Sequence, residues 1–210
     1  MKKRSLTDSA SVVYKLKYLT FPNYFVKILI ALTGASGVSI GVRLCEVLRK
    51  HELHIVVSEN AKRVIQHELG DVKKVMKKLE SYGKVYEAEE VDAPPASGSS
   101  LFDAMVICPC SMKTLSAIAH GYSDNLITRS ADVMIKEGRK LILTPRETPF
   151  SSIHIENMLK LSRLGVVILP PSLAFYNKPR KLDDVIDFIV GKILDSLRVE
   201  NKLYKRWERK

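Results

Sequence analysis

The most informative absences in this 210-residue sequence concern membrane spans and cysteine. It has no apolar run of about 18 residues that would span a bilayer, and no apolar core of a signal peptide. Cysteine occurs only at Cys45, Cys108 and Cys110, an odd number with two of them one residue apart. That spacing matches neither a disulfide framework nor a zinc site and is typical of a reducing compartment. We therefore expect a cytoplasmic protein with no membrane span.

Several catalytic motifs are also missing. There is no Gly-x-x-x-x-Gly-Lys-Ser/Thr loop, which disfavours an NTPase. There is no His-Glu-x-x-His either, and the five histidines are scattered, which disfavours a metal site. The Gly-x-Ser-x-Gly elbow of an α/β hydrolase is absent as well. We expect a site that contains no metal ion.

The strong positive charge lies at the two ends of the chain. The formal net charge is +11, with +5 in residues 1–27 and +4 in residues 192–210, so the body between them carries only +2. No basic groove with interleaved aromatic residues and no known nucleic-acid motif accompanies this charge. We therefore interpret the ends as solvated segments of a folded domain and expect no nucleic-acid partner.

Length and composition indicate one folded domain. A chain of this length that is 46% hydrophobic and 27% charged can bury a sizeable core. We divide it into a basic, flexible N-terminal arm (1–25), an α/β domain (26–198) and a basic tail (199–210). The tail carries the only tryptophan, Trp207, which we expect to dock on the body or on a neighbouring subunit.

The stretch Ile28–Gly41 shows how the domain begins. The apolar run Ile28–Leu32 predicts a strand buried on both faces, and helical spacing starts at Val38 after a turn of small residues. Gly34 lets the backbone approach a ligand, the helix dipole favours a phosphate, and Ser36 is a candidate helix cap. The spacing Gly-x-x-Gly-x-x-x-Gly is not the NAD fingerprint. A tight turn without a ligand is the alternative interpretation.

Strands and helices alternate through the rest of the domain. The spacing of apolar residues predicts strands at 28–32, 54–58, 84–88, 104–108, 140–144 and 166–169. Helices are predicted from 38 and at 61–69, 72–79, 115–120, 130–137, 154–164 and 182–197. This alternation is typical of an α/β fold with a single doubly wound, Rossmann-like or flavodoxin-like parallel sheet and helices on both faces.

Three loops follow predicted strands, at residues 33–37, 109–114 and 145–149. Because the carboxyl ends of parallel strands share one edge, we expect these loops to form a ligand site there. Their hydroxyls, Lys and Arg favour an anionic, phosphate-bearing ligand, although Arg146 and Glu147 are alternatively a structural ion pair. The Pro/Gly/Ser segment 93–100 is either a plain connector or a loop that wraps a polar ligand. The residues alone indicate a nucleotide- or flavin-binding α/β enzyme.

Five motifs occur in the order and spacing of a known family. They are GASG from Gly34, APPASGS from Ala93, PCSMKT from Pro109, PRE from Pro145 and FY from Phe175. Together they make residues 27–207 closely similar to the UbiX/phenylacrylic-acid-decarboxylase-like family of flavin prenyltransferases. Each motif is weak alone, whereas five in register are specific.

The resemblance implies a prenyl transfer that needs no metal. Members bind reduced FMN and dimethylallyl monophosphate, join the prenyl group to N5 and C6 of the flavin, and release phosphate. The product, prenylated FMN, is the cofactor of UbiD-type decarboxylases. Members assemble as homo-oligomers, commonly dodecamers, with sites at subunit interfaces.

The resemblance also implies residue roles by position. The FMN site would comprise Gly34, Ala35, Ser36, Ser58, Ser111, Met112, Lys113, Thr114 and Arg129. The prenyl-phosphate site would comprise Lys136, Arg146, Glu147, Tyr176 and Lys192. Lys136 and Arg146 would stabilise the leaving phosphate, and Glu147 would act as a general acid. Ser36, with Glu68 as its partner, would handle the proton at flavin N5.

Two positions depart from the family pattern. Lys192 stands where many members have Arg, which keeps the charge but loses the bidentate fork. Val91 stands where members have Trp, so this position cannot stack on a prenyl cation.

One alternative function is an FMN-dependent cysteine-type decarboxylase, although the Asn-containing loop and Met-Trp segment expected of it are absent. The other is a non-catalytic flavin carrier, which would have no need of a second phosphate site.

Overall fold

Six parallel strands form the centre of the fold in a computed structural model that describes residues 26–207. In chain order they are β1 Lys27–Leu32, β2 Glu52–Val57, β3 Lys84–Glu87, β4 Ala104–Cys110, β5 Lys140–Pro145 and β6 Val167–Ile168. Their order in the sheet is β3-β2-β1-β4-β5-β6, and every neighbouring pair is parallel. The predicted parallel α/β sheet is confirmed, with the strand order of a Rossmann fold.

Seven helices are found among the described residues. They are α1 Val38–Leu48, α2 Glu59–Leu69, α3 Val72–Glu80, α4 Met112–Ala119, α5 Leu126–Lys136, α6 Ser152–Arg163 and α7 Leu182–Leu197. Helices α4 and α5 begin earlier than predicted, because the side chains of Ser111 and Asn125 cap them. The predicted N-terminal arm, 1–25, lies outside the described residues, and the division of the chain at 198 stays a prediction.

The helices cover both faces of the sheet, as predicted. In β1, Ile28, Ile30 and Leu32 pack into one core with α1, α2, α3 and α7. Leu29 and Ala31 face the opposite core, built with α4, α5 and α6. All five side chains are at most 1% exposed, which explains why this strand is a continuous apolar run instead of an alternating one.

The strand order places a crevice between β1 and β4. The chain runs from β1 to β2 and β3 on one side, then crosses to β4 on the other side of β1. Connections from the carboxyl ends of β1 and β4 therefore leave in opposite directions, and ligands of doubly wound sheets bind at such a point. The loops after these two strands contain residues 33–37 and 111–114, both predicted to bind a ligand.

None of the helices in residues 26–207 is both long and apolar enough to cross a membrane. Residues after α7 run back along that helix, and the ring of Trp207 meets the ring of Tyr176 at a centroid distance of 5.4 Å. Trp207 thus docks on the body of its own chain while 77% of the residue stays exposed.

All three cysteines are free and buried. Burial raises the pKa of each thiol, that of Cys108 to about 12, so the reactive thiolate is scarce near neutral pH. We expect iodoacetamide to modify none of them in the folded protein and all three after denaturation, as measured by intact-protein mass spectrometry. Rapid labelling of the native protein would contradict the buried positions.

Candidate functional site

The side chain of Thr33 joins the loops after β1 and β4. Its Oγ1 donates to the carbonyl oxygen of Pro109 at 2.8 Å and accepts the backbone N–H of Ser111 at 2.8 Å. The backbone N–H of Thr33 donates to the same Pro109 oxygen at 3.2 Å. Thr33 is only 2% exposed. We predicted the loop 33–37 as part of the site without a role for Thr33, which therefore fixes the two loops against each other.

Helix α1 is capped from another helix and not from its own loop. Its N-cap residue is Gly37, whose φ of +93° lies in the left-handed region that favours glycine. The carboxylate of Glu68, in α2, accepts the N–H groups of Gly37 at 3.0 Å and Val38 at 3.1 Å. The expectation that Ser36 caps α1 is therefore wrong. Ser36 is exposed, and its side chain forms no hydrogen bond within the described part of the chain.

The position of Glu68 also changes where a phosphate can bind. A carboxylate at the positive end of α1 already accepts the N–H groups that a phosphate would need. The N-terminus of helix α4 is the alternative place for a phosphate. Its cap residue, Ser111, accepts the N–H of Thr114 at 3.3 Å. Within residues 26–207, the N–H groups of Met112 and Lys113 have no acceptor. Helix α4 therefore presents the free N-terminus that suits a phosphate.

Residues at the end of β2 complete this edge. The N–H of Ser58 donates to the carbonyl oxygen of Leu32 at 3.1 Å, and its hydroxyl accepts the N–H of Ala61 at 3.2 Å. A Cβ at Gly34 would lie 2.5 Å from the Cβ of Asn60, so glycine is required for the turn to lie this close to α2. The structure therefore places five predicted residues on one edge: Gly34, Ala35, Ser36, Ser58 and Glu68.

Arg146 and Glu147 follow β5 at the same edge. The N–H of Arg146 donates to the carbonyl oxygen of Cys110 at 3.2 Å, which ties this loop to the end of β4. The carboxylate of Glu147 accepts the N–H of Thr148 at 3.0 Å, and the two side chains form no ion pair, so that alternative is wrong. The Nε of Arg146 is buried and has no acceptor in the described structure. A buried donor without an acceptor lowers the stability of the folded protein unless an anion accepts its hydrogen bond.

Two further predicted cations lie on α5. The helix begins at the carboxyl edge of the sheet, where the N–H of Leu126 donates to the carbonyl oxygen of Ala88 at 2.7 Å. Arg129 lies in the first turn, near this edge. Lys136 lies in the last turn, seven residues after Arg129 and therefore about 10 Å further along at 1.5 Å per residue. Within one chain, Lys136 is therefore directed towards the amino edge, away from Arg146.

Tyr176, in the loop after β6, and Lys192, on α7, belong to a separate group. The Tyr176 ring packs against Phe188 with centroids 6.0 Å apart, and Lys192 follows Phe188 by one helical turn on the same side. The Nζ of Lys192 lies 3.8 Å from the carboxylate of Asp195. Among residues 26–207, neither Tyr176 nor Lys192 forms a hydrogen bond or ion pair with the loops at the carboxyl edge.

The Pro/Gly/Ser segment forms two short 3-10 turns, Pro94–Ala96 and Gly98–Ser100. The carbonyl oxygen of Gly98 accepts a hydrogen bond from Nη2 of Arg139 at 2.6 Å. Because Arg139 directly precedes β5, the segment lies towards the amino edge of the sheet. Within residues 26–207, no hydrogen bond or ion pair joins the segment to the predicted flavin residues. Val91, just before the segment, is 51% exposed.

The fold and the carboxyl edge together define the class of protein. A doubly wound sheet presents a free helix N-terminus, a buried guanidinium donor without a partner, and a carboxyl group next to it. These features are those of an α/β enzyme that binds phosphate-bearing ligands at the switch point of its sheet.

Comparison with known proteins gives the family. The Flavoprotein family matches residues 22–194. Flavin prenyltransferase UbiX of Methanocaldococcus jannaschii is 54% identical over 183 residues, 87% of this chain and 98% of the relative. A dodecameric FMN-dependent UbiX-like decarboxylase of Escherichia coli O157:H7 has a TM-score of 0.84 at 41% identity, covering 88% and 100% of the two chains. A UbiX protein in complex with FMN and dimethylallyl pyrophosphate also has a TM-score of 0.84, at 40% identity, covering 89% and 99%.

This chain belongs to the Flavoprotein family and, within it, to the UbiX flavin prenyltransferases. It is therefore an enzyme that transfers prenyl groups, with a flavin in its site. The resemblance found in the sequence is confirmed over nearly the whole described chain.

Proposed function

We propose that the enzyme joins the dimethylallyl group of dimethylallyl monophosphate to N5 and C6 of reduced FMN and releases phosphate. The product would be the prenylated FMN used by a UbiD-type decarboxylase. The observation that carries the proposal is the buried Nε of Arg146, which has no acceptor within residues 26–207. A phosphate would supply the acceptor, and Glu147, the next residue in the chain, would protonate a phosphate oxygen.

The carboxyl edge fits FMN. The N–H groups of Met112 and Lys113 have no acceptor in the described chain, and the hydroxyls of Ser111 and Thr114 lie 3.0 Å apart beside them. These groups would hold the FMN phosphate, with Arg129 adding positive charge near the same edge. The residues of the β1 turn and Ser58 would contact the ring system. When bound, reduced FMN supplies the nucleophilic positions N5 and C6.

The prenyl-phosphate site needs residues that one chain keeps apart. Arg146 and Glu147 lie in the loop after β5, Lys136 at the far end of α5, Tyr176 in the loop after β6 and Lys192 on α7. We propose that neighbouring subunits of a homo-oligomer complete the site by bringing these groups together. The dodecameric relative supports this arrangement, and we propose a dodecamer here as well.

The proposed chemistry follows from the charges of these residues. When the carbon–oxygen bond of the monophosphate breaks, both electrons stay on the phosphate oxygen. Lys136, Arg146 and Lys192 would stabilise that charge where a diphosphate enzyme uses Mg²⁺. Tyr176 would donate a hydrogen bond to the phosphate, and Glu147 would protonate it.

The proton at flavin N5 is proposed to pass through Ser36. Its hydroxyl is exposed at the carboxyl edge, within the turn that Glu68 holds. No hydrogen bond joins Glu68 to Ser36 in the described chain, so we propose that Glu68 supports Ser36 by fixing the turn at the start of α1. We also propose a cytoplasmic location, which agrees with three free thiols.

Turnover under anaerobic conditions tests the proposed function. Purified protein would be mixed with reduced FMN and dimethylallyl monophosphate without metal, and the extracted flavin analysed by mass spectrometry. We expect a flavin heavier by one prenyl unit, together with released phosphate. Bound but unchanged FMN would contradict the proposed donor and favour a decarboxylase or a carrier. No bound flavin would contradict the FMN site itself.

A further inference from the structure

Asp195, near the end of α7, is the centre of a hydrogen-bond network that holds the C-terminal segment. Its carboxylate accepts the hydroxyl of Tyr204 at 2.5 Å, two guanidinium N–H groups of Arg206 at 2.7 and 3.2 Å, and the amide of Asn201 at 3.0 Å. The Asp195 side chain is only 21% exposed. Three residues of one short segment therefore converge on a single carboxylate, and charge-assisted bonds of this kind are the strong ones.

Aromatic contacts extend this network to the predicted prenyl-phosphate residues. The Tyr204 ring packs on Phe188 at 5.0 Å between centroids, Phe188 on Tyr176 at 6.0 Å, and Tyr176 on Trp207 at 5.4 Å. A Cβ at Gly191 would collide with the Tyr204 ring, so the helix surface leaves room for this residue. Residues 199–207 form no helix or strand, and their position along α7 depends on these side-chain contacts.

The same carboxylate lies next to Lys192. The Nζ of Lys192 is 3.8 Å from Oδ2 of Asp195, further away than either nitrogen of Arg206. Because Arg206 and Tyr204 already satisfy Asp195, the lysine is its weakest partner and stays available to another anion. Although burial alone would raise the pKa of Asp195, the hydrogen bonds from Arg206, Tyr204 and Asn201 lower it, so the carboxylate stays ionised at neutral pH.

We propose that Asp195 is a positioning residue for the prenyl-phosphate half of the site. By anchoring Tyr204 and Arg206 it sets residues 199–207 along α7, which places Trp207 against Tyr176 and leaves Lys192 free to bind phosphate. The inference rests on the proposed function for the role of Tyr176 and Lys192. The anchoring of the segment rests on the contacts of Asp195 alone.

The single tryptophan allows the attachment of residues 199–207 to α7, which we call the anchor, to be measured directly. Tryptophan emission of this protein comes only from Trp207, so it reports the C-terminal segment without interference from the rest of the chain. Because 77% of Trp207 is already exposed, release changes the mobility of its ring more than its contact with solvent. In Asp195→Asn, compared with wild type at equal flavin content, we expect a lower fluorescence anisotropy of Trp207. Tyr204→Phe removes only the hydroxyl and should lower the anisotropy by a smaller amount.

Kinetics then test whether the anchor serves the site. For Asp195→Asn we expect the KM for dimethylallyl monophosphate to rise about ten-fold or more, given the loss of charge-assisted hydrogen bonds. The kcat and the Kd for FMN should stay within about three-fold, since the residue touches neither reactant. Asp183→Asn is the matched control, because it removes the same charge from the first turn of α7, where Asp183 pairs only with Lys181 in the described structure.

Two results would overturn the proposal. Unchanged anisotropy of Trp207 in Asp195→Asn would show that this carboxylate does not hold the segment. Release of Trp207 with an unchanged KM would show that the segment does not serve the prenyl-phosphate site. If wild-type protein makes no prenylated flavin, the proposed function fails and the assignment to its site fails with it. Release of Trp207 in the variant would still establish the anchor.

Discussion

Glu147→Gln is expected to lower the rate of prenyl transfer by about 10²–10⁴-fold, the usual contribution of a general acid, while FMN binding stays unchanged. Gln has the shape of Glu, and its amide oxygen can still accept the N–H of Thr148 that the carboxylate accepts at 3.0 Å. The loop after β5 should therefore keep its conformation. What is lost is the proposed proton donor, in the residue that follows Arg146. Single-turnover formation of prenylated flavin, followed by mass spectrometry, measures the effect.

A control separates this role from a general change of charge. Glu156→Gln makes the same substitution at an exposed position of α6, outside the site, and should retain the wild-type rate. If Glu147→Gln forms product as fast as wild type, Glu147 is not the proton donor, and the arrangement of the phosphate site must be revised. If the variant loses FMN as well, its effect is structural instead of chemical.

The sheet could be predicted from the sequence because the strands are buried on both faces. The continuous apolar runs in β1 and β4 follow from that burial, and the parallel order places the loops after both strands at one edge. The bounds of α4 and α5 were less accurate. Their first turns contain polar residues held by caps at Ser111 and Asn125, so apolar spacing alone did not show where they begin.

The cap of α1 could not be predicted because it is a long-range contact. Glu68 is 31 residues beyond Gly37 in the chain, and their hydrogen bond exists only because α2 packs next to α1. Ser36 is the local residue that propensity favours as a cap, and the fold leaves its hydroxyl exposed instead. The role of Thr33 was missed for the same reason, since its partners lie 76 and 78 residues away.

The separation of the phosphate-binding residues did have a signal in the sequence. A helix that directly precedes a parallel strand ends at the amino edge, where that strand begins. Lys136 is the last residue of α5 and lies four residues before β5, which begins at Lys140. Helix direction therefore agrees with the proposal that Lys136 meets Arg146 on a neighbouring subunit.

The other large effect is expected for Gly41→Ala in α1, which should lower the stability and weaken FMN binding together. Ala is normally favoured over Gly within a helix by about 1 kcal/mol. Here the added Cβ would overlap the backbone carbonyl oxygen of Cys108 in β4 and lie 3.2 Å from Cγ of Leu32. A backbone atom cannot turn away as a flexible side chain can. We expect a loss of about 3 kcal/mol, at the upper end of the usual range for overpacking.

For a chain of this size, that loss corresponds to a decrease in Tm of roughly 6–12 °C, measurable by differential scanning fluorimetry. The displacement moves α1 away from β4 and thereby disturbs the loops that Thr33 joins, so FMN affinity should decrease as well. Ser39→Ala, at a half-exposed position of the same helix, is the matched control and should leave both quantities nearly unchanged. A Tm of Gly41→Ala equal to or above that of wild type would mean that α1 and β4 tolerate a wider separation than their packing indicates, and that flavin binding does not depend on the close contact between them.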